Sequence, residues 1–257
     1  MSFFSDIADV YRKTKKPKDI LWNRFVARPL AAVLLVPLAK SRITPNQITF
    51  LSLLTFVGAM VMLALQRGHV GLIAAILVLE LSYVLDCTDG QLARLKHQAS
   101  PVGAHLDFLM DELKAMLLYG CVAVRLWRTT GDDRVLVVGI AALFCLASGI
   151  SLTSFMRRPE YGAKPPTADG QPAEVGQRRG AIGLVLNAIE WAARVVVHYP
   201  QYLWLCALLD RIEIYFWAYA AVNALYFAKS FAAIMLRLGR FQPRAAAAVP
   251  AGPGEVP

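Results

Sequence analysis

The stretch ITFLSLLTFVGAMVMLAL, residues 48–65, contains no charged side chain, and neither does VLVVGIAALFCLASGISLTSFM, residues 135–156. Each reaches the roughly 18 to 20 apolar residues that a helix needs to cross a bilayer. They sit in a chain of 257 residues that is 57% hydrophobic, with a mean hydropathy of +0.47. A soluble domain of that length has no core large enough to hide so much apolar surface, so lipid is the expected solvent. Further outward lie candidate spans that carry charge: 70–85 with Glu80 inside it, 101–126, 199–209, and 214–236 with Lys229 inside it. Such residues belong on a bundle interior or a cavity, not against lipid.

Helix-start signals sharpen these limits. Thr44-Pro45-Asn46-Gln47 offers a capping Thr, a proline suited to the first turn and a Gln three residues on, and Ser100-Pro101 repeats the cap and proline. The expected fold class is an all-α integral membrane protein, a six-transmembrane-helix bundle spanning 44–66, 69–97, 100–127, 134–157, 199–210 and 212–237. Ahead of it, residues 1–43 read as an interfacial segment: Trp22, Phe25 and Val26 lie among Lys18, Arg24 and Arg28, as in an amphipathic helix in the headgroup plane. Residues 157–179 are polar and rich in Pro and Gly, which reads as a surface loop, and 184–197 reads as a second interfacial helix. Residues 44–237 are expected to form the membrane domain, and 238–257 (ending AAAAVPAGPGEVP) a disordered tail. No apolar run with a small-residue cleavage site stands near the start, so no cleaved leader is expected.

The formal charge is +9. Nucleic acid is not the expected partner, because clustered Lys and Arg in a membrane protein mark the cytoplasmic face and its anionic lipids. With both termini inside, most of the 27 Lys and Arg fall on the cytoplasmic side, while Arg67, Arg125, Arg128, Arg134 and Arg211 fall outside. The expected location is the cell (inner) membrane, multi-pass, with the active site also cytoplasmic. Cys87, Cys121, Cys145 and Cys206 show no C-x-x-C pair and mostly sit in apolar runs, which argues for buried thiols without a disulfide frame or zinc site.

The chemistry-bearing residues are Asp86-Cys87-Thr88-Asp89-Gly90-Gln91-Leu92-Ala93-Arg94 and, eight residues on, Gly103-Ala104-His105-Leu106-Asp107-Phe108-Leu109-Met110-Asp111. Asp86 and Asp89 are three apart, and Asp107 and Asp111 four apart, so each pair shares a helix face. If the two helices are antiparallel neighbours, four carboxylates converge, and such a cluster is tolerable only around a cation. Oxygen-only ligands favour Mg²⁺ or Mn²⁺ over zinc, and such ions typically act on phosphate groups. Gly90 and Gly103 lack a Cβ and let a nucleotide approach the backbone. His105 points off the Asp107 face and reads as an interhelical contact. Glu80 is expected to pair with Lys114 or Lys229.

This pattern, D-x-x-D-G-x-x-A-R-x8-G-x-x-x-D-x-x-x-D, resembles that of the CDP-alcohol phosphotransferases (CDP-alcohol phosphatidyltransferases) over roughly residues 44–237, with all its fixed positions met. The resemblance implies six spans and a cytoplasmic polar cavity. It implies transfer of a substituted phosphate from a CDP-linked donor such as CDP-diacylglycerol to a small polar alcohol, with release of CMP. It also implies a homodimer, and a pair of ions bound by Asp86, Asp89 and Asp107. Asp111 would lie near the ions and act as general base, Gly90, Ala93 and Gly103 would line the cytidine site, and Arg94 would hold donor phosphate. Asn46 and Thr49 at the mouth of the first span either reach the nucleotide or serve only as a cap. Ser154-Phe155-Met156-Arg157, with Arg158 and Glu160, resembles the corresponding segment in members using inositol phosphate, which suggests Arg157 and Arg158 for a phosphorylated acceptor; glycerol phosphate is an alternative. An Asp-rich prenyltransferase would show two separated Asp motifs, and a transporter would spread its carboxylates over its helices.

Overall fold

Helices start where the cap-and-proline signals stand. Helix α3 (Pro45–Leu65) opens with the Thr44 hydroxyl accepting the Gln47 N–H at 3.4 Å and the Gln47 Oε1 accepting the Thr44 N–H at 2.9 Å. Helix α5 (Pro101–Thr130) opens with Ser100 Oγ accepting the Gly103 N–H at 3.1 Å. It stops at Gly131, whose φ of +70° is the left-handed conformation that glycine adopts without strain. The computed structural model describes residues 3–14, 20–156 and 181–236. Arg157, Arg158, the 157–179 loop and the 238–257 tail lie outside them.

Among the described residues there is no strand. The remaining elements are α1 (Phe3–Thr14), a π-helical turn (Asn23–Ala27), α2 (Arg28–Ala39), α4 (His69–Leu95), α6 (Asp133–Met156), α7 (Ala181–Val197), a 3₁₀ turn (Tyr199–Gln201), α8 (Leu203–Leu208) and α9 (Ile212–Met235). Four of them, α3, α4, α6 and α9, are long and apolar enough to cross a membrane. At 30 residues α5 has the length, but its first half carries Asp107, Asp111, Glu112 and Lys114. The stretch 199–210, read from sequence as one span, is a 3₁₀ turn and a helix of 6 residues. At about 1.5 Å per residue that helix is roughly a third of the hydrocarbon thickness and does not cross by itself. Pro200 removes a backbone N–H at this point, and α7 precedes it.

Helix α4 packs along α3 and under α2, α6 packs along α9, and α5 joins the two pairs by touching α3, α6 and α9. The shared core is built from Phe56, Leu63, Leu79, Leu118, Tyr119 and Phe216. Buried Arg125 on α5 donates to the carbonyls of Gln66 and Gly68, both at 2.7 Å, so the α3–α4 turn at the far end of the bundle supplies the oxygens that a buried guanidinium needs. Helices α5 and α6 approach closely at Gly139, where a Cβ would stand 2.8 Å from that of Ala123. Small residues permit such contacts between membrane helices. Gly139→Ala is expected to cost about 1–3 kcal/mol of stability, read as a lower melting temperature in detergent with the active-site residues untouched.

The N-terminal part is stapled to the helix that carries the first Asp pair. The buried Thr14 hydroxyl donates to Gln91 Oε1 at 3.1 Å, and Gln91 Nε2 donates to the Arg28 carbonyl at 3.4 Å. Leu35, Ile48 and Leu92 form a small apolar cluster beneath, against which Val10 packs. In this segment Arg28 is buried, while Arg24 and Phe25 are exposed. The Glu80 expectation is corrected: Lys114 pairs with Asp86, and Lys229 with Glu190 at 3.7 Å. Glu80 instead lines an apolar groove with Trp22 and Leu30.

Candidate active site

The first Asp pair lies on the last turns of α4, and α3 runs beside it in the opposite direction. Two hydroxyls on α3 match two carboxylates on α4 in that register. Thr49 Oγ1 donates to Asp89 Oδ2 at 2.6 Å, and Ser52 Oγ lies 3.5 Å from Asp86 Oδ1. Both pairs are three residues apart in sequence, which is why the match repeats. A reciprocal bond fixes the register: Ser82 Oγ donates to the Ser52 carbonyl at 2.9 Å, and Ser52 Oγ to the Ser82 carbonyl at 3.2 Å.

The second pair comes from α5, which stands against α3 and is not among the close packing partners of α4. The space between the two motif helices is bridged by side chains, Lys114 on α5 to Asp86 on α4 among them. One oxygen each from Asp86, Asp107 and Asp111 lies within 4.8 Å of the other two. Asp107 and Asp111 are exposed and Asp86 partly so. Three of the four carboxylates thus converge. Asp89 stands about 60° around the helix from Asp86, as a three-residue step dictates, and is buried against α3 with Thr49 as its partner.

Lys114, one turn beyond Asp111, is buried at 5% exposure, pairs with Asp86 Oδ1 and donates to Ser52 Oγ at 3.2 Å. Gly90 is open on its outer side, where a Cβ would meet only Arg94 Nη1 at 3.7 Å, so the guanidinium lies over that glycine. At Gly103 a Cβ would meet only the capping Ser100 Oγ, at 3.3 Å. Asn46 is exposed on the first turn of α3, and the Thr49 hydroxyl is engaged with Asp89. Lys96, just past α4, donates to the carbonyls of Ser41 at 2.9 Å and Ile43 at 2.8 Å and so holds the chain entering α3. Ala93 lies on the last turn of α4 and is half-buried, while His105 is exposed on α5. All four cysteines are free thiols.

The donor set suits a hard divalent ion. It is oxygen only, two of its carboxylates are open to solvent, and a cation, the Lys114 ammonium, already sits against the third. Residues 42–209, about two thirds of the chain, match the CDP-alcohol phosphatidyltransferase family. The chain belongs to that family. The phosphatidylinositol phosphate synthase of Corynebacterium glutamicum is similar to it, 31% identical over 155 residues, which are 59% of this chain and 68% of that protein. This CDP-alcohol phosphatidyltransferase is therefore a membrane enzyme of phosphatidyl transfer in phospholipid synthesis. The family match ends at α8, so α9 is placed by the structure alone.

Two residues that shape the site carried little signal in the sequence. Ser52 was one hydroxyl in an apolar span; its clue was Thr49-x-x-Ser52, with the same spacing as Asp86-x-x-Asp89. Lys114 was legible only as a nearby positive charge, since its partner depends on which face of α5 meets α3.

Proposed function

We propose that this enzyme transfers the phosphatidyl group of CDP-diacylglycerol to the hydroxyl of a phosphorylated alcohol, first an inositol phosphate, and releases CMP at the cytoplasmic face of the cell membrane. The observation that carries the reading is the convergence of Asp86 on α4 with Asp107 and Asp111 on α5. Asp89 completes the quartet, and a pair of Mg²⁺ or Mn²⁺ ions is the expected cofactor. Such ions, when bound, neutralise and orient a diphosphate for in-line displacement.

The residues of the chain do the rest. Arg94, beside Gly90, holds a donor phosphate through its planar fork, and the open backbones at Gly90 and Gly103 admit the cytidine. Ala93 and Asn46 border the same mouth. Asp111 accepts the proton of the acceptor hydroxyl as its oxygen forms the new bond to phosphorus and CMP departs. Support for a lipid donor comes from the apolar groove of about 330 Å³ between the π-helical turn, α2 and α4. Its lining is almost wholly apolar, from Trp22 and Leu30 to Leu81 and Val84, and suits an acyl chain. We assign Arg157 and Arg158 to the acceptor phosphate, as the pair of arginines that follows Met156, the last residue of α6, in the sequence. Six crossings follow if α5 is the third and α7, the 3₁₀ turn and α8 together make the fifth; a homodimer is the expected assembly.

The acceptor is supported by the Corynebacterium relative, and one assay tests it. Purified enzyme with CDP-diacylglycerol and Mn²⁺ is expected to release CMP with inositol phosphate at least about tenfold faster than with free inositol or serine, since a phosphate that meets an arginine pair gains roughly 1.5–3 kcal/mol from charge-assisted bonds. Glycerol phosphate as the preferred acceptor would retain the phosphate reading and change the alcohol. Equal use of unphosphorylated alcohols would overturn it.

A further inference from the structure

Lys114 is a charged side chain at the cluster that no step above employs. Its ammonium pairs with the same Asp86 whose carboxylate lies within 4.8 Å of those of Asp107 and Asp111. It is not a surface lysine that strays there: it is 5% exposed, and Ser52 Oγ, itself tied to α4 through the Ser82 carbonyl, accepts from it at 3.2 Å. Two elements therefore hold the charge in position, α5 by the backbone and α3 by the hydroxyl.

The consequence is electrostatic. A fixed positive charge within bonding distance of one ligand carboxylate opposes a divalent ion approaching that carboxylate, and in a partly buried site the opposition is weakly screened. The same charge relieves the repulsion among carboxylates before any ion arrives. We propose that Lys114 is a tethered competitor for the divalent cation: it occupies Asp86 in the ion-free enzyme and gives way as the ion binds, setting metal affinity below what the carboxylates alone would provide. This rests on the metal reading of the cluster given above. It makes Lys114 a positioning residue, acting through Asp86.

The test measures ion binding directly and without substrate, by titrating Mn²⁺ into the purified protein in detergent and following free Mn²⁺ by electron paramagnetic resonance. Lys114→Gln retains a hydrogen-bond donor but loses the charge, and it is expected to bind Mn²⁺ at least about tenfold more tightly than the wild type. Ser52→Ala, which loosens the tether and leaves the charge, is expected to tighten binding by a smaller factor and keeps the test open if the Lys114 variant does not fold. The ion-free Lys114→Gln protein is expected to melt lower, and to gain more on Mn²⁺ addition, than the wild type. A purely structural lysine gives the opposite sign, since a disturbed site binds metal more weakly. Unchanged or weaker Mn²⁺ affinity in both variants, with a binding wild type, overturns the competitor role alone. Absence of Mn²⁺ binding in the wild type and both variants overturns the metal reading and this proposal together.

Discussion

Asp107→Ala is expected to lower CMP release at least about a thousandfold, or roughly 4 kcal/mol of transition-state stabilisation, while the protein remains folded in detergent. Asp107 is exposed, and its carboxylate lies with those of Asp86 and Asp111 where no core packing depends on it, so removing it takes away a ligand without opening a cavity. Asp86→Ala should match it in activity but not in stability. Asp86 also receives Lys114, and truncating one partner of a largely buried ion pair leaves the other uncompensated. The two variants should therefore differ in melting temperature while sharing the loss of turnover. Excess EDTA should reproduce that loss in the wild type, with recovery on adding Mg²⁺ or Mn²⁺. Full turnover in EDTA would remove metal from the mechanism.

Asp111→Asn is expected to lose turnover on a similar scale with donor binding within about threefold of wild type. A general base acts on the acceptor hydroxyl, and the amide keeps the shape of the carboxylate without its capacity to take a proton. Donor binding is measured by displacement of a labelled CDP-diacylglycerol analogue in the presence of Mn²⁺. If the variant fails to bind the donor, Asp111 serves chiefly as a metal ligand, which its place in the convergent trio also permits. The separation of the two roles is sharpest against Asp107→Ala, where donor binding should fall with turnover because no proton transfer is assigned to that residue.

Much of this protein was legible before any coordinates. Uncharged length marked α3 and α6, and the caps at Thr44 and Ser100 marked where α3 and α5 start, because local backbone groups choose their partners within one turn. The eight motif positions were equally visible, since the chemistry of paired carboxylates is written in residue type and spacing. Local pattern failed at residues 199–210, where apolar composition suggested a span, but the chain there forms a 3₁₀ turn that contains Pro200 and then a helix of 6 residues. It failed also for Glu80, because the partner of an intramembrane charge is set by helix rotation and not by distance along the chain.

What tertiary structure alone decided is which carboxylates meet. Sequence placed Asp86 with Asp89 and Asp107 with Asp111 on shared faces, and that pairing holds for any helix of that period. It did not determine that α3 lies against both motif helices, so that Thr49 takes Asp89 toward α3 while Asp86 turns to Asp107 and Asp111. Nor did it determine that Lys114, one turn past Asp111, ends on Asp86 with Ser52 behind it. Those contacts join residues 28 to 62 positions apart, and the rotation of each helix that makes them comes from packing the whole bundle.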